Sequence, residues 1–527
     1  MILEPILIDG GWESADSPVG SFQSVNPALK ASLPEAYPVS SLKDVERALA
    51  AAHQAVEQLP ALPVGVIADF LDRFAENIEA DKAALVETAH TETALPREPR
   101  LASVELPRTT DQLRQAARAV RDRSWCMATI DTRTNIRSKY APLGAPVAVF
   151  GPNNFPFAFN SCAGGDFAAA VAAGNPAIAK ANTGHPGTTR LFAEAARKAI
   201  QASGLPRAMV QLIYRLRPDD GFRFVAHPLL GATGFTGSRA AGLKLKAAAE
   251  SAGKPVYLEM GSLNPVIILP GALEERMDQV VDEFFNSCTT GVGQLCTKPG
   301  LIVLLDDARG REFCGKASRF FEEGASGVLL GEDGPQNLAA AIETMTSHGA
   351  EPLVGGSSFD APGYSFQNSL LQVSGGSFLA NSGPLQTEAF GPVSLVVKAR
   401  DEDELVKIVE KIEGNLTGCV YSHSAGKDDE FYNRIEPLLR RRVGRLLNDK
   451  MPTGVAVSPA MNHGGPYPAT GHPGFTAVGI PASMLRFAAL HCYDNVRKHR
   501  LPMELQDKNP TGQMWRSIDR EWTQGDI

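Results

Sequence analysis

The sequence has no strongly basic segment, few cysteines for its length and no apolar run long enough for a membrane helix. Its 51 Lys and Arg residues stand against 59 Asp and Glu residues, which gives a formal net charge of -8. A chain with excess negative charge does not attract the phosphate backbone of nucleic acids through its overall field. We therefore predict no nucleic-acid partner.

The sequence has few cysteines and no metal-binding spacing of cysteine or histidine, which argues against a disulfide scaffold and gives no support for a metal centre. The 527 residues include seven cysteines with no C-x-x-C pair, and ten histidines with no H-x-x-x-H or comparable spacing. We therefore predict no metal site. Scattered, reduced thiols are typical of a cytoplasmic protein.

The apolar stretches are short. The longest, near residues 145–179, is broken by Gly, Pro and Asn, and the N-terminal segment turns acidic after a brief apolar start. We expect neither a membrane helix nor a signal peptide. The hydrophobic content of 43% nevertheless allows a chain of this length to bury more than one core.

Short apolar runs alternate with longer Ala-rich segments from Val147 onward. This alternation is typical of a buried parallel sheet whose strands are joined by crossover helices. In a first unit we predict strands near Val149 and at 177–180, 209–214, 231–235 and 256–259, and helices at 160–173, 186–203 and 238–252. In a second unit, after Met260, we predict strands at 266–269, 301–305, 394–399, 419–421 and 443–447, and helices at 273–289, 309–323, 336–347 and 401–412.

These patterns predict an α/β protein with two doubly wound domains.

Two segments fit neither domain. Residues 127–140 alternate polar and β-branched side chains like an exposed ribbon, which could pair with the sheet edge of a neighbouring subunit, with the tail beyond Pro481 as its partner. A local hairpin with a solvated tail is the alternative. The Gly- and Pro-rich stretch 451–479 is predicted to be a surface loop near a site, with His463 and His472 in surface positions.

The most informative stretch is GVGQLCTKPG at 291–300, in which small residues leave Cys296 open to close approach. A single cysteine is more often inert core than nucleophile, and we predict structural roles for five of the others, namely Cys162, Cys288, Cys314, Cys419 and Cys492. Three further motifs accompany it: FGPNNFPFAF at 150–159 after a strand, LEMGSLNP with Glu259 at a strand end, and TEAFGP with Glu388.

In order and content these four motifs resemble the aldehyde dehydrogenase superfamily. The resemblance covers nearly the whole chain and implies an NAD(P)-binding Rossmann-like domain (1–124 and 144–259), a catalytic domain (260–480) and a small β oligomerisation arm with a C-terminal tail (125–143 and 481–527). It also implies a homo-dimer or homo-tetramer. The chain is most similar to the NADP-linked 2,5-dioxopentanoate (α-ketoglutarate semialdehyde) dehydrogenases in RTTDQLR (108–114), GHPGTT (184–189), FTGSRAAG (235–242) and GGPYPAT (464–470).

The resemblance assigns catalytic roles to three residues. An aldehyde carbon becomes a good hydride donor only after addition of a nucleophile, and the Cys296 thiolate is suited to that attack. The amide of Asn154 and the backbone N–H of Cys296 would stabilise the oxyanion of the adduct. Glu259 would act as the general base for hydrolysis of the thioester, which favours water over coenzyme A as the acceptor.

The expected cofactor is NADP, with NAD also possible. Gly237 and Ser238 follow a strand and open a helix, a context that places a phosphate at a helix N-terminus. Thr183 stands where NAD-preferring members often carry a Glu that repels a 2′-phosphate, and His185 offers a nearby donor. The residues expected to contact the cofactor are Lys180, Thr183, His185, Gly237, Ser238, Glu388 and Phe390.

The substrate is expected to be an aldehyde acid, oxidised to a carboxylic acid. A substrate carboxylate needs a cation, which Arg108 or Arg100 would supply unless both lie on solvated helix faces. Phe155, Phe157 and Phe475 would form an apolar tunnel, which suits an unbranched aliphatic aldehyde equally well. The alternatives are therefore a broad-specificity aliphatic (fatty) aldehyde dehydrogenase, an acylating enzyme, or a catalytically silent cofactor-binding protein.

Overall fold

The computed structural model describes residues 2–63 and 65–527, so residues 1 and 64 of the predicted first domain lie outside the described part. The strands, in chain order, are β1 (Ile6–Ile8), β2 (Gly11–Glu13), β3 (Ser21–Asn26), β4 (Ala31–Pro38), β5 (Thr129–Asp131), β6 (Ile136–Pro142), β7 (Val147–Phe150), β8 (Ala177–Lys180), β9 (Val210–Ile213), β10 (Ala232–Thr236), β11 (Val256–Glu259), β12 (Val266–Ile268), β13 (Leu301–Leu305), β14 (Glu351–Val354), β15 (Ser369–Ser374), β16 (Val393–Ala399), β17 (Asn415–Tyr421), β18 (Val443–Asn448), β19 (Ala488–Asp494), β20 (Arg516–Ile518) and β21 (Glu521–Thr523).

The helices are α1 (Leu42–Gln58), α2 (Gly65–Ala80), α3 (Lys82–Thr93), α4 (Leu106–Asp122), α5 (Gly165–Ala172), α6 (Pro186–Ser203), α7 (Pro218–Val225), α8 (Arg239–Ser251), α9 (Pro270–Thr289), α10 (Ala308–Glu323), α11 (Gly334–Thr346), α12 (Gly375–Ala380), α13 (Glu402–Lys411) and α14 (Asp429–Arg440). An irregular helical segment, Arg97–Glu105, leads into α4. In the described ranges, no helix is both long and apolar enough to cross a membrane.

The first sheet has the strand order β11-β10-β7-β8-β9-β1-β2. The five strands β7 to β11 run parallel, and β1 and β2 extend the sheet in antiparallel fashion beyond β9. The register places Phe150 opposite Lys180 and Thr236 opposite Glu259. The carboxyl ends of four strands therefore meet along one edge, where ligands bind in open α/β sheets.

The second sheet has the order β14-β15-β16-β13-β12-β17-β18 and is parallel except at β14. Its strands are buried apolar runs such as LIVLL in β13. The predicted strands and helices of both units are present, with bounds that shift by a few residues at most of them. The doubly wound α/β class is confirmed.

The helix predicted at 160–173 is wrong at its start, because α5 begins only at Gly165. The Asn160 side chain donates to the carbonyl of Pro156 and accepts from the backbone N–H of Cys162, both at 2.9 Å. An Asn that bonds its neighbouring backbone in this way competes with helix formation. The segment before Gly165 is therefore a buried turn.

The predicted ribbon is a local hairpin, and the tail pairs with it in the same chain. The hairpin consists of β5 and β6; β19 pairs with β6 and β20 pairs with β5, which gives a sheet of order β19-β6-β5-β20-β21. The alternative of a solvated tail is wrong, because Leu505 and Met514 are buried in a small core beneath this sheet. Arg516 is fully buried there and donates to the carbonyl groups of Gln506, Asp507 and Gly525.

Candidate active site

Two cavities meet at Cys296. One, of about 540 Å³, lies along the carboxyl edge of the first sheet and is called here the Lys180 cavity. The other, of about 520 Å³, lies between the start of α4 and the 451–463 loop and is called here the Arg108 cavity. Cys296 lines both. A third cavity, of about 590 Å³, lies near Trp125 and contains none of the predicted site residues.

The Lys180 cavity contains most of the predicted catalytic and cofactor residues, namely Asn154, Lys180, Thr183, Gly237, Ser238, Glu259, Cys296, Glu388 and Phe390. Ser238 caps α8, since its side chain accepts from the backbone N–H of Ala241 at 3.3 Å. The N-terminus of α8 therefore borders the cavity. Burial lowers the pKa of Lys180 to about 8, with a further contribution from the Arg215 charge.

Glu388 reaches the same cavity from the loop before β16. Its Oε1 accepts from the backbone N–H of Ser262 at 3.1 Å, and burial raises the pKa of the carboxyl group. The approach depends on Gly261, because a Cβ at that position would lie 2.0 Å from Oε2 of Glu388. Lys298, buried nearby, donates to the carbonyl groups of Ala389 and Val393 at 2.9 and 2.5 Å and fixes the turn.

Cys296 is held by a strained, glycine-dependent loop. Gly293 has a φ of +66°, and a Cβ there would lie 2.2 Å from the carbonyl oxygen of Gly391. The Asn264 amide donates to the carbonyl groups of Cys296 and Lys298, both at 2.9 Å. Burial and the neighbouring Glu259 carboxylate raise the pKa of the Cys296 thiol well above its usual value.

Asn154 lies 5% exposed at the end of the turn after β7. Its amide donates one hydrogen bond to the carbonyl of Gln294 at 2.8 Å, in the loop that carries Cys296. The turn is held by Arg100, which donates to the Asn154 carbonyl at 3.0 Å, and by Glu105, which accepts from two backbone N–H groups further along the turn. An amide with two N–H groups keeps a second donor for a ligand.

His463 is the residue that sequence reasoning missed. The surface position predicted for it is wrong: it is 1% exposed, and its Nε2 lies 3.0 Å from Oε1 of Glu259 and 3.4 Å from Sγ of Cys296. Its backbone N–H donates to the Thr476 hydroxyl at 2.9 Å, so the far side of the loop holds it inward. The available signal was its position directly before the GGPYPAT stretch. His472, in contrast, is exposed as predicted.

The Arg108 cavity has apolar walls and one cation with unused donors. Phe155, Phe159 and Val455 are among its lining residues. The Arg108 guanidinium lies 5.3 Å from the ring of Phe159, and its Nε and Nη2 are buried with no hydrogen-bond partner among the described residues. Burial lowers the pKa of Arg108, but an arginine remains charged at neutral pH.

Arg100 lines the same cavity but its charge is already used. Its guanidinium forms an ion pair with the buried Glu105 and donates to the Asn154 carbonyl. The prediction that either arginine could lie on a solvated helix face is wrong for both, since Arg100 and Arg108 have only partly exposed side chains turned to the cavity. Arg100 is therefore already paired, whereas Arg108 has N–H donors without a partner among the described residues.

Three predicted contacts lie outside both cavities. His185 is fully buried, and its Nε2 lies 2.8 Å from the carbonyl oxygen of Pro152, so it supports the turn after β7 and reaches no ligand. Phe475 is 2% exposed and packs in the core under the guanidinium of Arg486, at 4.8 Å. Phe157 is fully buried against Phe192. The predicted tunnel is wrong, and Phe159 takes the place beside Phe155.

Comparisons with known proteins agree on one family. A model of the aldehyde dehydrogenase family matches residues 12–437. The chain is 38% identical over 516 residues to alpha-ketoglutaric semialdehyde dehydrogenase 2 of Azospirillum brasilense, a match that covers 95% of this chain and 96% of the relative. It is 35% identical over 515 residues to alpha-ketoglutaric semialdehyde dehydrogenase of Acinetobacter baylyi, with the same shares covered.

The fold agrees with solved structures. The crystal structure of a mutant of aldehyde dehydrogenase C from Pseudomonas syringae, in complex with NAD+ and octanal, superposes with a TM-score of 0.79 at 22% identity. The match covers 93% of this chain and 96% of that chain.

Proposed function

The chain belongs to the aldehyde dehydrogenase family, and on this basis we propose that it oxidises 2,5-dioxopentanoate (α-ketoglutarate semialdehyde) to 2-oxoglutarate with NADP+. The observation that carries the choice of substrate is the Arg108 guanidinium, which shares a cavity with Cys296 and has two N–H groups without a partner among the described residues. A carboxylate accepts two such donors in a fixed geometry. The names of the two relatives support the same substrate.

In this proposal Cys296 is the nucleophile. It lies where the two cavities meet, so a substrate in the Arg108 cavity and a cofactor in the Lys180 cavity both reach it. The free N–H of the Asn154 amide and the backbone N–H of Cys296 stabilise the oxyanion that forms on attack. A bound nicotinamide supplies the oxidant that turns the resulting thiohemiacetal into a thioester.

Glu259 is the proposed general base for hydrolysis of that thioester. It is 1% exposed, and its Oε2 has no hydrogen-bond partner in the described structure, so this oxygen is free to accept a proton from water. His463 contacts the other oxygen, Oε1, and the thiol. We assign His463 as a positioning residue that keeps the carboxylate beside the thioester.

The cofactor assignment rests on the Lys180 cavity. Lys180, Asn182 and Thr183 line one end, and the N-terminus of α8 at Ser238 offers backbone N–H groups to phosphates. Position 183 is a threonine, so it carries no carboxylate that would repel a 2′-phosphate. The Lys180 ammonium attracts such a phosphate. NADP+ is therefore the preferred cofactor, with contacts from Glu388 and Phe390 near Cys296. His185 has no part in this binding.

The domain roles and assembly are also proposals. Residues 1–124 and 144–259 bind the cofactor, 260–480 carry Cys296, and 125–143 with 481–527 form an arm that joins subunits into a dimer or tetramer. Large apolar side chains are exposed on this arm, among them Leu490 at 62% and Trp522 at 55%. Such a surface is suited to burial between copies. The free thiols favour a cytoplasmic location.

An uncharged aliphatic aldehyde is the second candidate, because Phe155, Phe159 and Val455 give the Arg108 cavity apolar walls. Steady-state reduction of NADP+ and NAD+ in parallel, with 2,5-dioxopentanoate, succinate semialdehyde and pentanal and without coenzyme A, decides between them. We expect the highest kcat/KM for 2,5-dioxopentanoate with NADP+. A higher kcat/KM for pentanal would contradict the substrate, and a strict need for coenzyme A would contradict hydrolysis.

A further inference from the structure

Cys296, His463 and Glu259 bring three metal-ligating atoms together at one point. Sγ, a ring nitrogen and a carboxylate oxygen all lie within 4.8 Å of one another. We propose that this cluster, called here the Cys-His-Glu cluster, binds one Zn2+ ion reversibly and that the bound ion inhibits the enzyme. The binding is independent of the proposed function, whereas the inhibition rests on it.

The two distances from His463 are close to those of tetrahedral coordination. Bond lengths of about 2.0–2.1 Å to nitrogen or oxygen and about 2.3 Å to sulfur place a tetrahedral N···S pair about 3.5 Å apart and an N···O pair about 3.4 Å apart. The structure has 3.4 Å between Nε2 of His463 and Sγ of Cys296, and 3.0 Å between Nε2 and Oε1 of Glu259. Sγ of Cys296 and the Glu259 carboxylate oxygen lie within 4.8 Å of each other, so the three ligands are near enough to share one ion after side-chain adjustment.

Hydrogen bonding alone does not satisfy the cluster. The Nε2 of a neutral imidazole either donates one proton or accepts one, so His463 cannot accept from the Cys296 thiol while it donates to Glu259. Nδ1 of His463 and Oε2 of Glu259 are buried without partners among the described residues. A divalent ion shared by the three lone pairs removes the conflict at Nε2 and leaves Nδ1 of His463 as it is.

The charges also balance. On binding, the Cys296 thiol loses its proton to solvent, and the thiolate and the Glu259 carboxylate neutralise the two positive charges of zinc, with a neutral imidazole as third ligand. A neutral group of this kind is tolerated in a buried position. Cys296 opens to both cavities, which gives the ion access and leaves its fourth position for water.

Reversible binding is expected, as opposed to a resident metal. Ligating histidines usually donate their second nitrogen to a carboxylate or carbonyl, which raises affinity. In the described structure Nδ1 of His463 has no such partner. A zinc-bound thiolate is a weaker nucleophile than a free one, and the same ion occupies the Glu259 carboxylate proposed as general base, so zinc binding and turnover compete.

The experiment uses the full-length enzyme, freed of metal and first assayed for aldehyde oxidation. Addition of Co2+, a spectroscopic substitute for Zn2+, should give one equivalent of bound metal with a thiolate-to-cobalt charge-transfer band, and Zn2+ should displace it. Cys296→Ser should abolish the band. His463→Gln should weaken Zn2+ binding in calorimetry by at least about 100-fold, since loss of an outer partner alone costs about 10–100-fold.

Two exposed residues provide matched controls. His472→Gln changes another histidine of the same loop, and Cys492→Ser changes an exposed thiol on β19; both should keep the cobalt band and the zinc affinity. Zn2+ should inhibit aldehyde oxidation, and a chelator should restore it. A cobalt band that persists in Cys296→Ser, or equal zinc affinity in His463→Gln, would overturn the metal site. Metal binding without aldehyde oxidation would instead overturn the proposed function and leave the site standing.

Discussion

Replacement of Arg108 by Met tests the choice of substrate. The Nε and Nη2 groups of Arg108 are buried and have no hydrogen-bond partner among the described residues. Each hydrogen bond between charged groups contributes about 1.5–3 kcal/mol, and a carboxylate on both donors therefore gains about 3 kcal/mol or more. We expect kcat/KM for 2,5-dioxopentanoate to fall by about 100-fold or more in Arg108→Met.

The same variant changes the Cys296 thiol, because the Arg108 charge lowers the pKa of that group. This effect is common to all aldehydes, so the assay compares the ratio of kcat/KM for 2,5-dioxopentanoate and for pentanal. The ratio should fall about 100-fold or more. Arg118→Met, an exposed position on the same helix, is the control and should leave the ratio unchanged. An unchanged ratio in Arg108→Met would refute the assignment.

The remaining predictions concern the nucleophile, the cofactor and the loop. Cys296→Ser should lower kcat by about 10³-fold or more while cofactor binding, followed by fluorescence, persists; substantial turnover would contradict the covalent step. Burial lowers the pKa of Lys180 to about 8, so its charge is lost as the pH rises through that value, and the ratio of KM for NADP+ to KM for NAD+ should increase above pH 8. A flat ratio up to about pH 9.5 would exclude Lys180 from 2′-phosphate binding. Gly293→Ala should reduce kcat and the melting temperature together, because its Cβ would lie 2.2 Å from the Gly391 carbonyl oxygen; wild-type values for both would contradict the packing.

Ten of the fourteen strands of the two large sheets were predicted, because each of these is a short, largely apolar run between turn residues; β1, β2, β14 and β15 were not predicted. In a parallel sheet both faces are covered by helices, so the whole run is hydrophobic and stands out from the helices. The run at Ala177–Lys180 and the helix at Pro186–Ser203 were predicted with the bounds that the structure has. The motifs at strand ends then meet at one edge, since parallel strands end together.

Burial within loops could not be predicted in the same way. His185 and Phe475 belong to irregular segments without periodicity, and contacts with distant residues decide whether they face a cavity. His185 contacts the Pro152 carbonyl, 33 positions earlier in the chain, and Phe475 packs against the guanidinium of Arg486. His185 was predicted as a cofactor contact and Phe475 as part of an apolar tunnel; instead, His185 contacts the backbone of the turn after β7 and Phe475 packs in the core.

The roles of the two arginines that line the Arg108 cavity could not be predicted either, because they depend on ion pairing. In the sequence, Arg100 and Arg108 are equivalent candidates for a substrate carboxylate. They differ because Glu105, buried one residue before α4, is paired with Arg100 and also accepts two backbone N–H groups of the turn after β7. The Glu105 carboxylate, which is bonded to that turn, neutralises Arg100, whereas Arg108 has no carboxylate partner among the described residues. In the proposed function, the specificity of the cavity depends on which cation has no partner among the described residues, and pairing of this kind is decided only when the chain is folded.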